Sequence, residues 1–160
     1  MGRKHCTRRA IVPLPPRGLR PRLTRDQVRN LGICHIANLD AIAGGRGTED
    51  LLWQIVEAAL TWSRVAEKLG AGEPEMVEQL ALVTSLVTRF ERTGKVVFTG
   101  PEYQLAKVGV EVMDQLSEIV DRPTAVDAVV WSEHKLSELT RHCHARGMDP
   151  TLPQQIGAKP

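Results

Sequence analysis

Residues 48–70 constrain the fold of this chain more than any other stretch. Thr48 predicts the start of a helix, because its hydroxyl can accept a hydrogen bond from an unpaired backbone N–H, and Gly70 predicts a left-handed helix end. Between them, apolar residues recur at spacings of three and four: Leu52, Ile55, Ala59, Trp62, Ala66 and Leu69, widened by Leu51, Val56, Ala58, Leu60 and Val65. The polar residues form one narrow strip: Gln54, Glu57, Thr61, Arg64 and Lys68. A helix this apolar must be covered on several sides, so the segment predicts the central helix of a bundle.

The composition favours helices packed by aliphatic side chains. Apolar residues make up 42% of the 160 residues but aromatic residues only 4%, so Leu, Val and Ala supply the core. A chain of this length predicts one domain. No apolar run reaches the length of a membrane span, and no apolar segment follows the Arg-rich N-terminus as it would in a secretory signal. The three cysteines lack framework spacing, which is typical of a reducing compartment, and we expect a cytoplasmic protein.

Capping residues and apolar periodicity predict four further helices. The first covers about residues 25–43 and the second residues 74–93, the third runs from a cap at Thr99 to a break at residues 121–123, and the fourth runs from a cap at Thr124 to about residue 145. Thr24, Thr48, Thr99 and Thr124 are the predicted N-caps. Each helix is expected to point a stripe of apolar residues inward. The stripes contain Val28, Leu31, Ile36 (or His35), Leu39 and Ile42; Met76, Leu80, Val83, Val87 and Phe90; Leu105, Val108, Val112, Leu116 and Ile119; and Val126, Val129, Val130, Leu136, Leu139 and Cys143. Residues 95–98 predict a short extended piece. The chain therefore predicts an all-α fold, a five-helix and mostly antiparallel bundle.

The charge is distributed unevenly along the chain. Residues 1–29 hold nine Lys or Arg against one acid, whereas residues 30–160 hold twelve against eighteen. Prolines at 13, 15, 16 and 21 favour extended backbone. We therefore divide the chain into a basic leader (residues 1–23), a helical domain (residues 24–147) and a C-terminal tail (residues 148–160). The aliphatic residues between 11 and 23 are expected to lie against the domain or a partner.

The basic leader is the strongest functional feature, because clustered Arg and Lys bind phosphate backbones. The predicted nucleic-acid-binding or partner-binding residues are Arg3, Lys4, Arg8, Arg9, Arg17, Arg20 and Arg22. Arg17, between Pro16 and Gly18, is the predicted single anchor. Three other interpretations stay open: binding to an acidic protein surface, a solvated tail, and a leader docked on its own acidic domain. The residues between the arginines are Pro and aliphatics rather than aromatics, which argues against base stacking and toward a protein groove.

No motif indicates a reaction. Residues 44–47, GGRG, lack the GK[ST] ending and the preceding strand of a P-loop, and predict a turn. Trp53, Trp62 and Trp131 are predicted to lie in the core or in a groove. Each cysteine adjoins a histidine, in His5-Cys6, Cys34-His35 and His142-Cys143-His144, but CxxC and HxxxH spacings are absent. Adjacent residues on a helix point about 100° apart, so neighbours rarely share one metal. We predict no metal site, no cofactor and no catalytic residue, and keep a small zinc-binding protein as a third alternative.

Several short motifs resemble a group of small helical proteins from phages and prophages of proteobacteria. They are Arg3-Lys4-His5, the stretch Asn38-Leu39-Asp40-Ala41-Ile42 before a Gly-rich turn, the acidic start of the next helix, and Phe98-Thr99-Gly100-Pro101-Glu102. The resemblance covers most of the chain and carries no catalytic or binding residue. It implies a bacterial cytoplasm, a mobile element, and a regulatory role or interference with a host machine.

Taken together, these features predict a non-enzymatic, phage-type regulatory protein whose leader engages nucleic acid or a nucleoprotein complex. The alternative is an inhibitor or modulator that binds a host protein complex, such as an RNA polymerase or a CRISPR effector. Neither reading involves a membrane. A homodimer, formed by leader exchange or through an uncovered helix face, is compatible with both.

Overall fold

The computed structural model describes residues 22–145, which form five helices. These are α1 (Arg25–Ala43), α2 (Glu49–Leu69), α3 (Glu73–Thr93), α4 (Gly100–Ile119) and α5 (Arg122–Ala145). Within these residues no strand forms, and the one β-type pairing is an isolated antiparallel bridge between Arg22 and Asp121. The predicted all-α, five-helix and mostly antiparallel bundle is therefore confirmed.

Local capping chemistry sets most of the helix ends, as predicted. The hydroxyl groups of Thr24, Thr48 and Thr99 each accept a hydrogen bond from a backbone N–H in the first turn of α1, α2 and α4. Gly70 ends α2 in the left-handed conformation, at φ 62°. Residues 44–47 form the predicted turn.

The start of α5 differs from the prediction. The helix begins at Arg122, and the N–H of Thr124 donates to Oδ1 of Asp121 at 2.8 Å. Asp121 therefore caps the helix, and Thr124 lies inside its first turn. Pro123 does not interrupt α5, because the first residues of a helix have no backbone N–H bond for a proline to remove.

Helix α2 is the centre of the bundle, as its apolar pattern predicted. It contacts all four other helices. Its first half joins one buried cluster with residues of α1, α3 and α4, including Leu52, Val56 and Leu86. Its second half joins another, with Trp62, Val65 and Leu116 among the members. The core thus consists of two buried clusters along α2, built almost entirely from aliphatic side chains.

The predicted inward stripes of four helices differ in part from the faces that are buried. In α1 Ile36 is exposed and the alternative, His35, faces inward. In α4 Val108 is exposed, whereas Ala106, Gly109 and Met113 are buried. In α3 the predicted stripe omits Leu82 and Leu86, which are fully buried. In α5 the prediction is wrong for Val126, Val129, Val130 and Leu139, which are exposed, while the small residues Ala128 and Ser132 are buried. The side chains of Leu31 and Cys143 lie outside the described part of the structure.

An ion pair joins the end of α3 to the start of α4. Nη1 of Arg89 donates to Oε2 of Glu102 at 2.9 Å, and Nη2 of Arg89 donates to Oε1 of the same carboxylate. The N–H of Thr99 donates to Oε2 of Glu102 at 2.7 Å, and Arg89 also donates to the carbonyl oxygen of Val97. The hydrogen bond from Arg89, followed by those from Thr99, lowers the pKa of Glu102 from 4.5 to about 2. The ion pair therefore holds the segment between α3 and α4 in place when Glu102 is ionised.

The substitution Glu102→Gln is expected to lower the free energy of unfolding at pH 7 by about 2 kcal/mol, the usual contribution of hydrogen bonds to a charged group. Because the pKa of Glu102 is lower in the folded chain, this contribution is complete above pH 4.5 and is lost as the pH falls toward 2. Denaturant titrations of the wild type and the variant across this range measure it. Glu111→Gln, at an exposed carboxylate on α4, is the control and should change little. A difference between Glu102→Gln and wild type that is independent of pH would contradict the expectation.

Candidate binding surfaces

The predicted binding residues of the basic leader fall almost wholly outside the described residues. Arg3, Lys4, Arg8, Arg9, Arg17 and Arg20 lie in residues 1–21, for which no placement is described. Arg22 is described, and its side chain is exposed while its backbone pairs with Asp121. Residues 24–145, which follow the leader, hold twelve Lys or Arg against eighteen Asp or Glu. The helical domain is therefore acidic, opposite in sign to the leader.

Among the helices of residues 22–145, the close backbone packing of α5 is with α2. The contacts follow the polar strip of α2. Thr61 donates its hydroxyl hydrogen to Oγ of Ser132 at 2.7 Å, and the guanidinium of Arg64 lies 5.5 Å from the ring centre of Trp131. Small residues on α5, including the buried Ala128, allow this close approach. Ala128 also joins the buried cluster that includes residues of α4, and a groove lies along each flank of α5.

The first flank forms a groove between α1 and α5, here called the α1/α5 groove, with α2 as its floor. Its volume is about 510 Å³, within the range of roughly 300–1,000 Å³ typical of ligand pockets. Three exposed valines of α5 form one wall. Residues of α1 form the other wall, and α2 contributes apolar floor residues. The lining residues that matter below are Leu23, Cys34, His35, Trp62, Val126, Val129 and Val130.

His35 is one of the titratable groups that line this groove, together with Cys34, Glu57 and Arg122. Its Nε2 accepts a hydrogen bond from Nε1 of Trp62 at 3.3 Å, and burial lowers the pKa of its imidazole. An accepting Nε2 carries no proton, so this hydrogen bond corresponds to the tautomer with the proton on Nδ1. The neighbouring Cys34 is exposed. Because Nε2 is already engaged by Trp62, it is not available as a base for a nucleophilic thiol.

The second flank of α5 faces α3 across a groove of about 570 Å³. Its lining includes Trp53, Leu60, Val87 and the exposed Leu139. Lys135 donates to Oε2 of Glu138 at 2.8 Å at its rim. Trp53 is anchored by a hydrogen bond from its indole N–H to Glu49. Trp53 and Trp62 thus occupy groove and core positions, as predicted, whereas Trp131 is half-buried beside the guanidinium of Arg64.

The apolar period of α5 predicts that its valines lie in the core, so it does not predict either groove. The sequence does contain the correct inward stripe, which is Ala125, Ala128, Ser132 and Leu136, at spacings of three and four. Two of these residues are alanines and one is a serine, so a search for large apolar side chains favours the valine face instead. Small residues at helical spacing were the signal that could have located the packed face.

The described residues hold neither a candidate metal centre nor a membrane-spanning helix. No group of three His, Cys, Asp or Glu residues there is placed to hold a metal ion. None of the five helices is both long and apolar enough to cross a membrane. His5 and Cys6 lie outside the described residues, as do the side chains of His142, Cys143 and His144.

Comparison of the chain with protein-family models, with curated proteins and with solved structures finds no significant match.

Proposed function

We propose that this chain is a non-enzymatic, phage-type regulatory binding protein whose basic leader engages nucleic acid or a nucleoprotein complex. One observation carries the proposal, the separation of charge between two parts of the chain. Residues 1–23 contain seven Lys or Arg and no Asp or Glu, whereas residues 24–145 contain six more acids than bases. A polyanion is attracted to the leader and repelled by the domain, so the leader is the part that binds it.

The type of basic residue also supports a phosphate ligand. Six of the seven cationic residues in the leader are arginines, whose planar guanidinium can donate two parallel hydrogen bonds to a phosphate. Prolines interrupt the leader and favour extended backbone, which lets successive side chains follow a phosphate backbone. The helical domain then serves as the scaffold that presents its regulatory surface beside the bound nucleic acid.

Replacing the seven leader cations by glutamine is expected to weaken binding to double-stranded DNA or single-stranded RNA at least tenfold. It should also flatten the dependence of the binding constant on salt, because fewer counterions are released. Fluorescence anisotropy of labelled oligonucleotides at salt concentrations between about 50 and 200 mM measures both quantities. Circular dichroism should show unchanged helicity. The replaced residues are Arg3, Lys4, Arg8, Arg9, Arg17, Arg20 and Arg22.

A matched control removes the same number of positive charges from exposed positions of the helical domain. Its substitutions to glutamine are at Arg25, Arg29, Arg46, Arg92, Lys95, Lys107 and Arg141. The control should lose less than threefold in affinity and keep the salt slope. Absence of binding to either nucleic acid at low salt, or equal losses in the two variants, would refute the proposal.

The second candidate is a modulator that binds a host protein complex, such as an RNA polymerase or a CRISPR effector. The groove between α3 and α5 favours it, because it is lined by apolar side chains, including the exposed Leu139, and such surfaces are typical of protein interaction sites. Capture of partners from a bacterial lysate, with and without nuclease, separates the two functions. A partner that survives nuclease favours the modulator, and one that is lost favours the nucleic-acid reading.

A further inference from the structure

The chain enters the helical domain at one end of the α1/α5 groove. Leu23 lines the groove, and the backbone of Arg22 pairs with Asp121 in the antiparallel bridge. In an antiparallel pair, the residues before one partner run in the direction of the residues after the other. The residues after Asp121 are the first turn of α5. The bridge therefore directs the preceding chain toward α5, the helix whose valines line the groove.

The α5 wall of this groove is an apolar face that the described residues leave uncovered. Val126, Val129 and Val130 are all exposed, although they adjoin one another on the helix. A contiguous aliphatic face of this kind is normally covered by another segment or molecule. We propose that residues 11–21 of the basic leader occupy the α1/α5 groove and cover this wall. The inference concerns the leader's own position and does not depend on nucleic-acid binding.

The chemistry of residues 11–21 fits an apolar groove. The segment IVPLPPRGLRP contains four aliphatic residues and four prolines. Because proline has no backbone N–H, an extended segment rich in proline buries fewer unpaired donors than other sequences would. The two arginines of the segment have long apolar stems, which let their guanidinium groups reach solvent from a buried backbone. The leader can thus cover the groove and still display its positive charge.

The length of the segment is sufficient. Residues 11–21 in an extended, polyproline-like conformation span about 34 Å at roughly 3.1 Å per residue. The α5 wall from Arg122 to Val130 spans about 12 Å at roughly 1.5 Å per residue, which leaves enough chain for a turn at Gly18. The C-terminal residues 146–160 are a poorer occupant. They leave α5 after Ala145, about 22 Å along the helix from Val130.

Limited trypsin digestion of the full chain tests the proposal. A docked leader should be cut slowly after Arg17. Val129→Asp places a charge in the groove wall and should raise this rate at least tenfold, because the leader is released. Val108→Asp is the matched control, since Val108 on α4 is 41% exposed and Val129 is 40% exposed, but only Val129 lines the groove. Cleavage after Arg8 and Arg9, outside the docked segment, is the internal reference and should not change.

A second variant shows whether faster cleavage in Val129→Asp comes from release of the leader or from misfolding of the helical domain. Leu14→Asp alters the leader itself, leaves the helical domain unchanged, and should raise cleavage after Arg17 as much as Val129→Asp does. Equal cleavage rates in the wild type and in both variants would overturn the proposal. So would a Val129→Asp variant that changes only the elution volume in size-exclusion chromatography, which would make a second copy the occupant. Faster cleavage after Arg146 instead of Arg17 would assign the groove to the C-terminal residues.

Discussion

Replacing Leu116 by alanine is expected to lower the free energy of unfolding by about 3–4 kcal/mol, within the range typical of buried Leu→Ala substitutions. Leu116 is 0% exposed and belongs to the cluster that joins the second half of α2 to α3, α4 and α5. The substitution removes buried methyl groups and leaves a cavity, because helices packed on several sides cannot collapse into it. Chemical denaturation followed by circular dichroism measures the change.

The matched control is the same substitution at an exposed position. Leu139 on α5 is 44% exposed at the rim of the groove between α3 and α5. Leu139→Ala should therefore change the free energy of unfolding by less than about 1 kcal/mol. The contrast between the two leucines tests the position of the core. Similar losses at both sites would show that α5 is packed on its second flank and that the bundle is closed there.

The substitution Gly109→Val is expected to lower the free energy of unfolding by about 3 kcal/mol. Gly109 lies where α4 passes close to α3, and a Cβ atom at this position would overlap the side chain of Gln79. Gln79 is itself buried and donates from Nε2 to the carbonyl oxygen of Leu105 at 2.7 Å. A larger residue at 109 displaces this amide, so overpacking adds to the loss of a buried hydrogen bond. Denaturant titration gives the magnitude.

A double-mutant cycle locates the cause. Gln79→Ala should recover about 1–2 kcal/mol when it is added to Gly109→Val, because it removes the group that valine displaces. Gly100→Val is the control on the same helix, where a Cβ atom would meet no neighbour, and it should have little effect. Losses from Gln79→Ala and Gly109→Val that simply add would contradict a direct contact between the two residues.

The helix boundaries could be predicted because they depend on neighbouring residues. The capping box at Thr24 with Gln27, the pair Thr99 with Glu102, and the glycine after α2 all act within four residues. The central role of α2 was equally readable, since a helix apolar on most sides has few stable positions outside the middle of a bundle. The predicted start of α5 was wrong because two nearby residues, Asp121 and Thr124, could each cap the helix. In the structure Asp121 is the cap, and it accepts a hydrogen bond from the N–H of Thr124.

The grooves could not be predicted, because they depend on which helices meet. The valines of α5 and its small residues occupy different faces, and each face alone satisfies a helical period. Only the packing on α2 selects Ala128 and Ser132, through the Thr61–Ser132 hydrogen bond and the contact of Arg64 with Trp131. The polar strip of α2 is visible in the sequence, but only the structure shows that α5 packs on it and so which face of α5 is buried.

By itself, the sequence determined the all-α class, the number of helices, most of their ends and the opposite charges of leader and domain, because these depend on local hydrogen bonding and on composition. The tertiary structure decided which faces are buried. It placed small residues of α5 against α2, and it left three valines of α5 in an open groove beside the point where the leader enters. The physical reason is that burial is a property of pairs of surfaces, and a single helix sequence specifies only one member of each pair.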